Sequence, residues 1–396
     1  MPAAGCCDRE PVESTRPKLN EEGVFSMTEP VQDAGEQLAS STSEASLRRT
    51  EVRSAQIEAQ IAKDPSGFRV MTGDRPTGNL HLGHYFGSLA NRVRLQDAGV
   101  ETFILIADYQ VITDRDGTGP IHERVLGMLA DYLAIGLDPA RTTIYAHSAV
   151  PALNQLLLPF LSLVTEAELR RNPTVKAELE ATGDRPMSGL LLTYPVHQAA
   201  DILFCKANLV PVGKDQLPHL EQTRVVARRF DERYGRVDPA RPIFPQAEAL
   251  LSNASTVLGL DGTKMSKSKG NVIEIGMDAD TTAKLIKKAV TDSDRNITFD
   301  PVNRPEVANL VLLVSLCTGG DPVAIAAELG DAGGGGLKKL VTESVNEFFA
   351  PIRGRRAELA ADPGYLIDVL RTGNARANEV GDATLAEVRQ AMNMVY

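Results

Sequence analysis

Residues Phe68–Leu89, FRVMTGDRPTGNLHLGHYFGSL, decide how the rest of the chain is read. Arg69-Val70-Met71 continues Phe68 as a short, largely apolar β run, and Gly73, Pro76 and Gly78 then break it. From Leu82 the apolar residues Leu82, Tyr85, Phe86 and Leu89 recur at helical spacing, so His81-Leu82-Gly83-His84 stands at a helix N-terminus. Backbone N–H groups and the helix dipole attract an anion at such a place. Two imidazoles three residues apart share a face there and can donate hydrogen bonds to phosphate oxygens, while Gly83 has no side chain to block a nucleotide. The same histidines would also serve as ordinary surface or capping residues, so the tetrad does not decide the matter alone.

The second stretch that matters is Asp261–Gly270, DGTKMSKSKG, a polar loop with glycines near both ends. Lys264, Lys267 and Lys269 put ammonium groups on this segment, and Ser266 and Ser268 add hydroxyl donors. A loop of this kind can close on a polyphosphate and stabilise the charge that grows on departing pyrophosphate. A solvated basic loop is the plainer alternative. It loses weight because His-x-Gly-His and Lys-Met-Ser-Lys-Ser occur in one chain, in that order.

With this pair of signatures the chain resembles the class I aminoacyl-tRNA synthetases, and more narrowly the bacterial-type tryptophanyl-tRNA synthetases. The resemblance runs from about Gly67 to the C-terminus. It is strongest over Gly73–Leu89, Gly189–Asp201 (GLLLTYPVHQAAD), Val210–Arg224 (VPVGKDQLPHLEQTR) and Lys264–Ser268. It implies an α/β fold, a Rossmann-like doubly wound parallel sheet as the class I synthetase catalytic domain, with a C-terminal helical domain. The expected boundaries are 67–275 for the catalytic domain, with a dimer-type insertion at about 151–189, and 276–396 for a helical domain that contacts the tRNA anticodon.

Composition is compatible with this. A chain of 396 residues with 43% hydrophobic content can bury one large α/β domain and a smaller one. A net charge of −10 argues against indiscriminate nucleic-acid binding, so no DNA partner is expected and a tRNA must be met by local basic patches. Cys6, Cys7, Cys205 and Cys317 form no C-x-x-C pair, which disfavours a zinc or iron–sulfur site and suits a reducing cytoplasm. No apolar run reaches transmembrane length and no signal-peptide core is seen, so no membrane partner is expected. Residues 1–66 form an acidic extension rich in Glu, Ser, Ala and Pro, expected to be disordered through about Thr42, with a short helix over Leu47–Ala62. It reads as a dispensable tail or as a partner-binding arm.

Beyond Gly67 strands and helices alternate: Thr102–Ala107 as a buried strand ending in Asp108-Tyr109-Gln110, a helix over Ile121–Ile135, a strand over Thr142–Ala146 and a helix near Leu153–Val164. That rhythm belongs to a parallel sheet covered on both faces. Ligands bind beyond the C-terminal ends of such strands, which places Asp108–Gln110 against substrate. The stripe Leu153, Leu156, Leu157, Phe160, Leu161 suits a subunit interface or the core equally. Pro195 predicts a helix start with Tyr194 at its entrance, and Gln198 and Asp201 then share a face inside an apolar run. A carboxylate there needs a partner. Val210–Gln216 reads as strand, glycine turn and helix start, with Asp215 able to accept from ribose hydroxyls or to cap the helix through Phe230. After Asn271 helical signals dominate: Thr281–Val290 with Lys284, Lys287 and Lys288 on one face, Pro305–Cys317, Leu337–Phe349 and Ala383–Met394. Gly333–Gly336 reads as a linker, and Arg353, Arg355 and Arg356 as contacts for phosphates or as solvated surface.

The resemblance assigns roles to individual positions. It implies catalysis by His81, His84, Lys264 and Lys267. ATP would lie against Arg75, Thr77, Gly78, Gly83, His84, Lys176, Gly213, Asp215, Met265 and Ser266. The amino acid would lie against Met71, Gln110, Tyr194, Gln198, Asp201, Val210, Val212 and Gln216. In tryptophanyl enzymes the aspartate matching Asp201 accepts the indole N–H, although a carboxylate accepts a phenol O–H as readily. The partners implied are L-tryptophan and tRNA(Trp), with Mg2+ carried by ATP, no metal held by the protein, a homodimer and a cytoplasmic location. The chain departs from the common pattern at His197-Gln198 (usually Leu-Met), Gln110 (His), Met71 (Phe), Arg75 (Gln) and Lys214 (an acid). These changes leave open an auxiliary isoform with an altered pocket and a tyrosyl-type enzyme. A small-molecule nucleotidyltransferase shares the first signature but has no use for the helical C-terminal third.

Overall fold

The computed structural model describes residues 33–113, 117–181, 186–235, 242–251, 257–266 and 269–396. These belong to two compact units, Met1–Leu47 and Arg48–Tyr396. Helical backbone, α1, runs Asp33–Ile61 and so begins well ahead of the expected Leu47. The stretch contains no proline and is rich in Ala, Glu, Gln, Leu and Ser, which lose little in a helix.

The second unit is built on five parallel strands: β1 (Arg69–Asp74), β2 (Glu101–Ile106), β3 (Thr142–Ala146), β4 (Leu209–Val212) and β5 (Glu248–Leu251), in the order β3-β2-β1-β4-β5. Along β2, Ile104 and Ile106 join one apolar cluster while Phe103 and Leu105 join the other, so alternate residues feed opposite faces. Both faces are covered, which is why these strands read as continuous apolar runs without alternation.

Between β1 and β2 lie α2 (Leu82–His84), a wide π turn Tyr85–Leu89 and α3 (Ala90–Asp97). Helix α4 (Ile121–Ala134) links β2 to β3. Four helices separate β3 from β4: α5 (Pro151–Leu161), α6 (Glu166–Arg171), α7 (Pro173–Ala181) and α8 (Gly189–Leu203). Helix α9 (Leu217–Tyr234) precedes β5, and α10 (Ala279–Lys287), α11 (Pro305–Thr318), α12 (Pro322–Leu329), α13 (Gly333–Ala360) and α14 (Pro363–Ala391) follow it. No single described helix is long and apolar enough to cross a membrane.

The sheet has two outer strands, and a helix reaches each. On β5, Ser54 Oγ of α1 donates to Ala249 O at 3.2 Å and accepts from Leu251 N at 3.0 Å. Ile57 and Ile61 of the same helix are buried with Val70, Leu209 and Leu250. On β3, Ala146 N donates to Asn374 Oδ1 of α14 at 2.9 Å. A Cβ on Gly373 would stand 1.8 Å from Ile144 O, so only glycine allows α14 this close.

Three expectations are corrected, and the open reading of α5 is settled for its inner face. Helix α8 starts at Gly189, capped by Ser188 Oγ accepting from Leu191 N at 3.0 Å, and Pro195 lies in its interior. Gly333–Gly336 form the first turn of α13, where a Cβ on Gly334 would come 2.8 Å from Thr291 Oγ1. The three arginines hold packing: Arg356 Nε lies 2.5 Å from Asp131 Oδ1, Arg355 Nε donates to Ala134 O at 2.8 Å, and Arg353 donates to Asn346 and Thr282. In α5, Leu153, Leu156 and Phe160 are core residues, Leu157 and Leu161 are half-buried, and Leu158 is 75% exposed.

Candidate active site

The strand order reverses between β1 and β4, and that crevice is where a doubly wound sheet places ligands. The His81 turn leaves the end of β1 and Gly213 leaves the end of β4. His81 is the N-cap residue of α2, its backbone N–H donates to His84 Nδ1 at 3.1 Å, and the two rings lie 3.7 Å apart. Asp74, at the end of β1, accepts from Arg92 and Tyr132, each at 2.6 Å. Burial works against its charge, but Arg92 and the two hydrogen bonds win and hold its carboxyl below the usual range.

The two signature segments meet through backbone pairing. Leu82 N donates to Ile273 O at 3.0 Å and Ile275 N to Leu80 O at 2.9 Å, so the strand-like stretch after the lysine loop runs antiparallel to the histidine turn. A Cβ on Gly83 would lie 2.9 Å from Met265 Sδ and 3.1 Å from the His81 ring. Gly83 thus has a reason beyond room for a nucleotide: it lets Met265 sit against the histidine turn.

The lysine loop is folded around Asn271, which is 5% exposed. Asn271 Oδ1 accepts from Ser266 N at 2.8 Å, and Nδ2 donates to Asp261 Oδ1 at 2.8 Å, with longer contacts to Thr263 Oγ1 and Lys264 O. Lys264 is exposed and Met265 is buried. Lys267 lies outside the described residues, as does the side chain of Asp215. The turn Lys214–Gln216 precedes α9, whose N-cap residue is Gln216.

Arg75 forms an ion pair with Glu178 of α7 at 3.8 Å. Thr77 N donates back to Arg75 O at 2.8 Å, and Gly78 takes φ 151°, which closes this turn. The Tyr194 ring meets His219 edge-on at 5.4 Å, and burial raises its pKa while a hydrogen bond with Thr174 opposes the rise. Thr174 and Glu178, one turn apart on α7, therefore face the crevice. Lys176 lies two residues from each, roughly opposite on the helix, and it is exposed. The structure does not bring Lys176 to the phosphate region.

Several of the residues expected around the amino acid meet: Met71, Val210 and Val212 share one apolar cluster, and Gln110 and Asp201 both approach the His197–His147 pair. Met71 on β1 and Val210 on β4 are buried; Val212, Gln198 and Gln216 are half-buried. Gln110 Nε2 lies 2.9 Å from His197 Nδ1, Thr113 Oγ1 donates to Gln110 Oε1 at 2.9 Å, and His197 Nε2 lies 3.0 Å from Asn154 Oδ1. The amide orientation makes His197 a neutral imidazole, with Nδ1 accepting and Nε2 donating. Burial also lowers its pKa. One neighbour was not singled out from the sequence: His147, fully buried at the end of β3, whose Nε2 is 3.1 Å from Asp201 Oδ1 and whose ring is 4.2 Å from that of His197. The strand-end rule that selected Asp108–Gln110 after β2 applies equally to His147 after β3 and would have found it. His147, His197 and Asp201 approach one another closely enough to suggest a metal site. Both nitrogens of His197 are already engaged, however, which leaves too few ligands for a closed zinc centre.

Comparison with known proteins agrees with this geometry. The family described as "tRNA synthetases class I (W and Y)" matches residues 63–350. The chain is 41% identical over 333 residues to a tryptophan–tRNA ligase of Treponema pallidum (strain Nichols), covering 82% of this chain and 97% of the relative. It is 38% identical over 335 residues to that of Clostridium longisporum, covering 83% and 97%. Among solved structures, tryptophanyl-tRNA synthetase from Campylobacter jejuni complexed with ADP and tryptophan superposes with a TM-score of 0.72 at 29% identity, over 82% of this chain and 99% of that one. The family match over most of the chain and the near-complete coverage of these relatives show that the chain belongs to the class I tRNA synthetases for tryptophan and tyrosine, as a bacterial-type tryptophan–tRNA ligase.

Proposed function

We propose that this tryptophan–tRNA ligase carries out both half-reactions in the crevice between β1 and β4. The tryptophan carboxylate attacks the α-phosphorus of ATP, pyrophosphate leaves, and the aminoacyl group passes from the adenylate to the terminal ribose of tRNA(Trp). No enzyme nucleophile takes part: positioning and charge stabilisation carry such a reaction. His81 and His84 hold phosphate oxygens, Lys264 and Lys267 stabilise the charge on departing pyrophosphate, and Arg75, Thr77, Gly78 and Ser266 border the triphosphate. Gly213 and Asp215 meet the ribose. Met71, Gln110, Tyr194, Gln198, Asp201, Val210, Val212 and Gln216 surround tryptophan, with Asp201 accepting the indole N–H. Mg2+ comes with ATP, because the acidic groups of the phosphate end are engaged with protein partners, as Asp74 is with Arg92.

The observation that carries this reading is the contact of Gly83 with Met265, which joins the histidine turn to the lysine loop across nearly two hundred residues of sequence. We further propose a catalytic domain over 67–275 and a helical domain over 276–396, a cytoplasmic location, and a homodimer formed through the exposed side of α5 around Leu158. Lys284, Lys287 and Lys288, all exposed on or beside α10, replace the three arginines as the basic face for tRNA.

The test is ATP–pyrophosphate exchange with tryptophan and tyrosine in parallel, followed by charging of tRNA(Trp). Exchange with tryptophan alone is expected. Exchange with tyrosine, or charging without the lysine loop, would sink the assignment of these residues.

A further inference from the structure

The amino-acid end of the crevice contains two imidazoles in face contact, and they are held in different ways. His197 is fixed as a neutral ring by Gln110 on one nitrogen and Asn154 on the other. His147, 4.2 Å away, has no such clamp: its Nδ1 is buried without a hydrogen-bond partner among the described residues, and its Nε2 faces the Asp201 carboxylate at 3.1 Å. Adjacent rings at this distance do not both carry charge at little cost, so the proton goes to the ring beside the carboxylate. Asp201 Oδ1 is itself buried and makes no directed hydrogen bond among the described residues. The contact with His147 is mainly one of charge, and a carboxylate oxygen, having two lone pairs, keeps the capacity to accept an N–H.

We propose that His147 is a positioning residue for tryptophan selection: its imidazolium supplies the counter-charge that lets the buried Asp201 carboxylate accept the indole N–H, so affinity for tryptophan follows the protonation of His147. This rests on the assignment of Asp201 to the indole given above. A buried carboxylate needs a partner, and here the partner is one that titrates. The titratable groups facing His147 are Asp201 and His197 from α8, Tyr109 and Asp108 from the end of β2, and Tyr145 on its own strand, adjoining Asp201. Burial is the largest influence on His147 and disfavours its charge, but Asp201, with a smaller share from Asp108, outweighs it and raises the imidazole above its ordinary value. The charged form thus persists to higher pH than in a free imidazole and is lost as pH rises through the raised value. The Michaelis constant for tryptophan should climb there, while that for ATP should not.

The experiment is tryptophan-dependent ATP–pyrophosphate exchange by the full chain between pH 6 and 9.5, for the wild type, His147→Gln and Asp108→Asn. The wild type should show an inflexion in KM for tryptophan, with KM for ATP flat. In His147→Gln the inflexion should vanish, with KM for tryptophan about tenfold higher at low pH and converging on the wild type at high pH. Titration of tryptophan's own ammonium is common to all three proteins and cancels in the ratio. Asp108→Asn leaves His147 in place and should move the inflexion to lower pH, which keeps the idea testable if His147→Gln does not fold. A wild-type protein that exchanges with tryptophan but shows no inflexion, or a His147→Gln protein that keeps it, overturns the proposal alone. A wild type with no tryptophan-dependent exchange at any pH overturns the assignment of the pocket as well.

Discussion

Gly83 and Asn271 control the same gap from opposite sides, one by having no side chain and the other by holding the loop in place. Gly83→Ala would push a methyl group to within 2.9 Å of Met265 Sδ. We expect kcat for tryptophan-dependent exchange to fall by roughly 10²-fold, the scale of losing one transition-state donor, with little change in melting temperature. Asn271→Ala removes the acceptor for Ser266 N and the donor to Asp261, the two hydrogen bonds that hold the loop in its folded form. Its signature should be a KM for ATP about tenfold higher, because the loop must then be ordered by the nucleotide. Of these two residues only Gly83 was legible in the sequence, since a glycine between two histidines has an evident reason. Asn271 looks like any polar residue after a glycine, and its role exists only once the loop has folded back on it. His147 stands between the two: its place after β3 is legible by the strand-end rule, but its partner is a carboxylate more than fifty residues away, which only the fold brings to it.

At the scale of elements, strand positions were easier to read than helix starts. Thr142–Ala146 was read to the residue, because a fully buried parallel strand is a short apolar run with abrupt ends. Pro195 misled because proline in a helix is usually found in the first turn, whereas here Ser188 supplies the cap and α8 carries the proline inside. The glycines at 333–336 misled for the opposite reason: their flexibility is less important than the close approach to Thr291 that they permit. Helix α1 shows the limit of compositional reasoning. Its polar sequence suggested a tail, yet Ile57 is fully buried against Val70 and Leu250. Ile57→Ala should therefore destabilise the protein by about 2–5 kcal/mol, measured by urea denaturation. A loss below half a kcal/mol would mean that this part of α1 is not docked.

The molecule beyond Arg48 is one compact unit although the sequence divides into an α/β part and a helical part. A central tie is Asp131 of α4 with Arg356 of α13, the carboxylate being only 1% exposed. Burial raises the Asp131 pKa, and Arg356 opposes the rise. Arg356→Ala should cost about 3–5 kcal/mol at pH 7, where the carboxylate is left charged and alone. The cost should shrink as pH falls through the raised pKa, because a protonated carboxyl needs no counter-charge. Urea denaturation of both proteins at pH 7 and pH 4.5 measures the difference, and an equal cost at the two values would exclude this account. Charge pairs of this kind cannot be read from sequence, since nothing local marks two residues 225 positions apart as partners.

The helices on the two outer strands have a consequence for the protein's behaviour at high concentration. An open strand edge is a template on which a second chain can add, and proteins that expose one tend to aggregate. Here Ser54 occupies the amide and carbonyl of β5 that another strand would use, and Asn374 occupies an amide of β3. Cutting the chain just after Ile61 would bare the β5 edge even if catalysis survived, and light scattering would rise before activity fell. The polar stretch that resembles a dispensable tail thus acts, from Arg48 onward, as the guard on one side of the sheet.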